Sequence, residues 1–144
     1  MSYNLEQANS GFASYTAAGL AEGTNANTFK TTNTLTYTSN GVFKSKAATD
    51  NLAFTAGTAI PANSSALIGV WINAAGTLST SQGPTVAAGD PCPVPTAPAA
   101  NLTFVGYVKI VTGAATFTPG STDLSASGVT ATFADCARVP GTAQ

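Results

Sequence analysis

Reversal signals recur so often along this chain that no long element fits between them. Asn40-Gly41, Ala56-Gly57, Ala75-Gly76, Gly83-Pro84, Thr112-Gly113, Pro119-Gly120 and Ser127-Gly128 all mark turns. The runs between them are short and rich in Thr, Val, Phe and Tyr, residues that suit a pleated, half-buried surface. Strands are predicted at about 27–31, 33–38, 41–46, 50–55, 66–73, 76–81, 102–111, 114–118 and 128–134. Asn40-Gly41 is the strongest hairpin signal, because both residues tolerate the positive φ of a type I′ turn. Ala74-Ala75-Gly76 predicts a second hairpin with a three-residue loop. Thr112-Gly113 predicts a third, folding 114–118 back on 102–111.

The alternation within these runs fits one-sided sheets. Leu35 and Tyr37 point one way, with Thr34, Thr36 and Thr38 the other. Leu102, Phe104, Gly106, Val108 and Ile110 share one face of their run, and Thr103, Val105, Tyr107, Lys109 and Val111 the other. The second set is half apolar, so this strand and "LIGVWI" read as central. The expected fold is all-β, an antiparallel β-sandwich or barrel of jelly-roll-like kind.

Two segments depart from that pattern. Residues 84–101 carry Pro84, Pro91, Pro93, Pro95 and Pro98 and are excluded from a central strand; they predict a loop or an extended polyproline strap crossing the sandwich. In residues 1–26, Leu5, Ala8, Phe12, Tyr15 and Gly19 recur at helical spacing, interrupted by Asn9, Ser10 and Gly11. This part predicts an N-terminal arm, extended or with a short helix ending at Gly23, and residues 27–144 form a single β-domain. The arm has Tyr3, Leu5, Phe12 and Tyr15 to bury against a neighbour.

Charge is scarce: 8% of the chain against roughly 25% in an average soluble domain, with a net charge of −1. A near-neutral surface of hydroxyls and amides gives little repulsion between molecules and favours association. Five scattered cations make no basic stripe, so nucleic acid is not an expected partner. Apolar runs such as "ALIGVWI" at 66–72 are far shorter than the roughly 20 residues of a spanning helix, so no membrane is expected either. "MSYNLEQANS" has no basic or apolar signal region, which predicts synthesis in a cytoplasm unless a leader was removed.

Catalytic constellations fail one by one. With no His, a Ser-His-Asp or Cys-His arrangement and a histidine metal site are all excluded. Glu6, Glu22, Asp50, Asp90, Asp123 and Asp135 are spread singly, and Asp50, Asp90 and Asp123 sit beside turns, where carboxylates accept backbone N–H bonds. No glycine-rich phosphate loop with its lysine occurs. The reading is a non-enzyme with no cofactor and no metal. Cys92 and Cys136 match no zinc spacing; either they bridge the proline-rich loop to the C-terminal part or they remain free thiols.

Trp71 and the phenylalanines Phe29, Phe43, Phe54, Phe104, Phe117 and Phe133 fall on predicted strands and read as core, whereas Tyr37 and Tyr107 are candidates for an interface or a sugar contact. Lys44 and Lys46 share one strand face with Val42, opposite Phe43 and Ser45. On an exposed face they would either blunt edge pairing or meet a carboxylate of a partner.

"TLTYTSNGVFKSKAATDNLAFT" followed by "IGVWINAAGTLSTSQG" resembles small virion structural proteins of tailed bacteriophages, of the capsid decoration (cement) or head-fibre-like kind. The likeness covers about residues 33–83, with an echo in "FVGYVKIVTGAATFTPGSTDL". It implies a β-rich protein on the outer capsid surface, made in the host cytoplasm and often trimeric. The major capsid protein would be its partner, and stabilisation of the shell its role. Tyr3, Leu5, Phe12, Tyr15, Lys44 and Lys46 are then the expected contact residues. The rival reading is a receptor- or glycan-binding module of a tail fibre or surface adhesin; a fimbrial or surface-layer subunit is a third, which needs export.

Overall fold

The computed structural model describes residues 11–55 and 57–137. Within them the chain is all-β, with strands β1 (Phe12–Ser14), β2 (Leu20–Glu22), β3 (Phe29–Thr31), β4 (Leu35–Ser39), β5 (Val42–Lys46) and β6 (Thr49–Leu52). They are followed by β7 (Ser64–Ile72), β8 (Leu78–Gln82), β9 (Val86–Ala87), β10 (Thr103–Thr112) and β11 (Val129–Asp135). The strands make a five-stranded sheet, β11-β10-β7-β8 with β9 also on β7, and two three-stranded sheets, β1-β4-β5 and β2-β3-β6. All pairings are antiparallel. The arrangement is sandwich-like and does not close into a barrel.

The core lies between the five-stranded sheet and the elements across its inner face. One cluster joins Val70, Ile72, Leu78 and Val105 of that sheet to Leu20, Phe29, Leu35 and Tyr37 of the small sheets. A second joins Ala66, Ile68, Val108 and Ile110 to Ile60, Phe117 and Leu124, which come from connecting segments. Tyr37 is not an interface residue. It is fully buried and donates its hydroxyl to the Asn73 carbonyl at 2.9 Å, and burial pushes its pKa up.

Both short hairpins follow their turn chemistry. Asn40 (φ 51°) and Gly41 (φ 77°) make the two-residue turn that sets Ser39 opposite Val42. At the β7–β8 turn, Gly76 has φ 83°, and the Asn73 side chain accepts the Ala75 and Thr77 N–H groups. The third expected hairpin does not form. Residues 114–118 contribute only a bridge between Phe117 and Ile60, and β10 pairs instead with β11, closed by Gly113 N–H to the Gly128 carbonyl at 2.8 Å. Phe117 gains more as a plug in the second cluster, where it is fully buried, than a five-residue strand could offer.

The N-terminal part also differs from expectation. Residues 1–10 lie outside the described residues. The described part shows no helical arm; β1 pairs with β4 and β2 with β3, so both are built into the sheets. In β10, an irregularity between Phe104 and Gly106 breaks the alternation expected there. Val105 turns into the core with Val108 and Ile110, while Phe104 joins Tyr107 on the outer face. Trp71, opposite Phe104, is therefore outside the core, edge-on to that ring at 4.8 Å with its indole N–H on Ser81 Oγ at 2.9 Å. The proline-rich segment does cross this outer face as a strap: a Cβ on Gly69 would lie 2.9 Å from Pro95 Cγ, and one on Gly83 2.7 Å from the Pro93 carbonyl oxygen.

Tyr37→Phe is expected to lower unfolding free energy by about 1 kcal/mol through loss of the Asn73 bond. Gly69→Leu is expected to cost about 1–3 kcal/mol by lifting the strap. Urea denaturation of the two variants against the parent chain checks both.

Candidate functional site

The β4–β5 hairpin brings the expected contact residues together in part. Register places Lys44 opposite Tyr37 and Lys46 opposite Leu35, and directly opposed residues share a face. Since Leu35 and Tyr37 are core, both lysines lie on the inward face rather than the exposed one. Both are half-buried, their stems running along the rim of the core. The side chain of Lys46 reaches the β7–β8 turn, 3.9 Å from where a Cβ on Gly76 would stand.

The same register sends Phe43 outward. It is 68% exposed, next to Val42 at 56%, and packs on Tyr15 with ring centroids 5.2 Å apart. Tyr15 is held there by its own N–H, which donates to the Thr36 carbonyl at 2.8 Å. On the opposite face of the tip, Phe12 (38% exposed) and Val42 flank Ser39 across the three strands. Ser39 is buried, and its hydroxyl has no hydrogen-bond partner among the described residues. Gly41 N–H to the Gly11 carbonyl at 3.1 Å ties the turn to the incoming chain. The tip thus carries Tyr15 and Phe43 on one side and Phe12 and Val42 on the other.

Of the six expected residues, Phe12 and Tyr15 join this tip, and Lys44 and Lys46 flank it on the core-facing side. Tyr3 and Leu5 lie outside the described residues. Val42 and Phe43 were missed. The two-residue turn fixes the register, so the pattern Leu35-x-Tyr37 already forces Lys44 and Lys46 inward and Phe43 outward.

Among the described residues lie two open clefts of about 440 Å³ each. The first runs along Gly57, Thr58 and Ser81–Thr85 and offers amides and hydroxyls only. The second, beside Phe12 and Phe104, contains Asp135 and Cys136. Burial, and then the Asp135 charge, push the Cys136 thiol up, so it stays protonated at neutral pH and is a poor nucleophile. The Asp135 carboxylate accepts the Leu20 N–H at 3.1 Å. Asp50 accepts the Thr24 hydroxyl, the Thr24 N–H at 3.0 Å and the Asn51 N–H at 2.7 Å, which with the Lys30 charge hold its carboxyl below the usual range. Among the described residues no three His, Cys, Asp or Glu side chains converge as metal ligands, and no helix is long and apolar enough to cross a membrane.

The cysteines do not bridge. Cys92 Sγ sits 3.2 Å from Ser65 Oγ, level with Val111 of β10, whereas Cys136 N–H bonds the Val105 carbonyl. Those points are about 20 Å apart along the strand, against a Cα separation of at most ~7 Å for a disulfide. Both thiols are free.

The chain matches no family model, and no curated protein or solved structure shows significant similarity to it.

A thiol assay on the unfolded, unreduced protein should count both cysteines; a missing pair would contradict the register of β10. Because the folded pKa of Asp50 is depressed, its contribution to stability is present above about pH 4. It is lost as the pH falls through the lower folded value. Melting curves from about pH 6 to pH 2 should fall less steeply for Asp50→Asn than for the parent.

Proposed function

We propose that this chain is a non-enzymatic bacteriophage virion structural protein, a capsid decoration protein that binds the outer shell through its β4–β5 tip. The observation that carries the reading is that three of the four exposed large apolar residues among the described ones, Phe12, Val42 and Phe43, gather at one end of the β1-β4-β5 sheet, with the Tyr15 ring packed on Phe43. Exposed aromatics grouped at one point are the usual anchors of a protein interface. The sequence likeness supplies the partner class: the major capsid protein, at sites where trimers bridge neighbouring subunits. A jelly-roll-like lineage belongs to the same proposal. Lys44 and Lys46 would add charge contacts at the rim, and many symmetry-related copies would multiply weak single contacts.

The rival reading, a glycan-binding module, draws on a different surface. Trp71, Phe104 and Tyr107 sit half-exposed on the outer face of the five-stranded sheet, where flat rings can stack on sugars.

The deciding experiment is sedimentation of the purified chain with mature shells built from the major capsid protein of the same genome, beside a glycan array. Co-sedimentation that Phe43→Asp weakens roughly 30-fold or more supports the decoration reading. Failure to bind shells, with glycan binding that Trp71→Ala abolishes, replaces it by the module.

A further inference from the structure

Among the described residues, five of the six outer edges in the three sheets are short, distorted, guarded or covered, and one is open. β1 and β2 have only three residues each. The edge strand β5 turns Lys44 and Lys46 inward, a recognised guard against edge pairing. In β6 the left-handed Asn51 (φ 55°) breaks the extended run. The edge of β8 is covered: Thr80 N–H donates to Thr55 Oγ1 at 2.8 Å, Thr55 N–H to Thr80 Oγ1 at 2.9 Å, and Thr58 N–H to the Gln82 side chain at 2.9 Å. β11 has none of these devices. It runs seven residues, V-T-A-T-F-A-D, with no proline, no glycine and no lysine.

Which of its backbone groups face outward follows from the register. The bond from Cys136 N–H to Val105 makes the even-numbered residues Thr130, Thr132 and Ala134 the ones bonded to β10. The N–H and C=O groups of Ala131 and Phe133 therefore point away from the sheet, and they meet no partner among the described residues. Their side chains lie on the core side, half-buried at the rim of the second cluster.

We propose that β11 is a self-association edge, on which β11 of a second copy pairs antiparallel about a two-fold axis through Thr132. This register is the one that overlaps the whole strand with itself. Ala131 exchanges backbone bonds with the second copy's Phe133, and Phe133 with its Ala131. The same pairing sets each Phe133 ring beside an Ala131 methyl and covers both. It also suits the charges: the strand's single ionic residue, Asp135, falls opposite Val129 of the other copy, some six residues from its own mate. At a net charge of −1, little general repulsion opposes the approach. The ten strands of two copies' large sheets become one continuous sheet. The C-terminal end of β11 comes near the tip, since Asp135 and Phe12 line one cleft, but the pairing uses the backbone of Ala131 and Phe133 and none of the tip side chains.

Native mass measured by sedimentation from micromolar to millimolar chain concentration tests it without any capsid. The expected result is a concentration-dependent doubling, from monomer to dimer, or from trimer to hexamer if the chain also makes a three-fold contact. Ala131→Pro removes an outward N–H without touching the β10 ladder, and Thr132→Lys sets two ammonium groups together on the axis. Thr132 lies on the exposed face, so Thr132→Lys decides the matter if the proline variant fails to fold. Each should weaken the doubling tenfold or more, and amide exchange at Ala131 and Phe133 should slow in the parent only as it associates. A monomer or an unchanging trimer at every concentration overturns the proposal. So does an association that a folded Thr132→Lys leaves intact.

Discussion

Everything else in this molecule depends on the pairing of β7 with β10. The two longest strands lie side by side at the centre of the large sheet, and their inward residues, Ala66, Ile68, Val70 and Ile72 against Val105, Val108 and Ile110, supply one wall of both core clusters. Shifting that register by one residue would turn every one of these side chains to the outer face. The irregularity brings Val105 inside in place of Phe104, and Gly106 gives the room. A Cβ there would come within 2.4 Å of the Ala134 carbonyl oxygen and 2.7 Å of Leu20. Strap, plug and small sheets are all placed by what this pair presents to them.

With so few charges, the work of joining layers falls to threonine. Thr103 sends its hydroxyl to the Thr38 carbonyl at 2.7 Å, linking the large sheet to the β1-β4-β5 sheet from a fully buried position. Thr112 accepts the Ser64 N–H and donates to the Pro61 carbonyl, closing the other end. Thr31 accepts from Thr49, and Thr55 and Thr80 bond each other's N–H groups reciprocally. Each hydroxyl satisfies a backbone group that the pairing of short strands leaves over, which a buried ion could do only at a larger desolvation cost. The threonine-rich composition is thus a structural necessity before it is a surface property.

The sequence carried the fold where local chemistry decided it. Asn40-Gly41 dictated a turn type, and the turn dictated the register of β4 and β5. What could not be read were outcomes settled by competition between distant segments. Whether Phe117 pairs beside β10 or plugs the core against Ile60 and Leu124 depends on a cavity whose far wall, Ile60, Ala66 and Ile68, comes from some fifty positions away. Alternation in "ALIGVWI" separates Trp71 from Val70 and Ile72, but both faces of the run are apolar, and that the Trp71 face is the outer one, under the Pro95 strap, comes from distant segments. The tip itself was half legible: Phe12 and Tyr15 were identified for their apolar character, but Phe43 was assigned to the core although the turn beside it already pointed it outward. Counting aromatics by strand membership hides the most exposed one among the described residues; following the register across the turn finds it.

The distribution of charge then acquires a logic. Two of the four lysines stand on an edge strand: Lys44 and Lys46 line the inner side of β5, beside the tip, while Lys30 and Lys109 lie on the central strands β3 and β10. If all association were to be avoided, the longest edge, β11, would carry the strongest guard, since seven consecutive extended residues offer more to a stray strand than five. It carries none, and its one carboxylate is turned back to the Leu20 N–H. A chain that blocks the shorter edge and leaves the longer one open discriminates between edges. On a near-neutral surface, which gives little general repulsion, such local guards are what separates one edge from another.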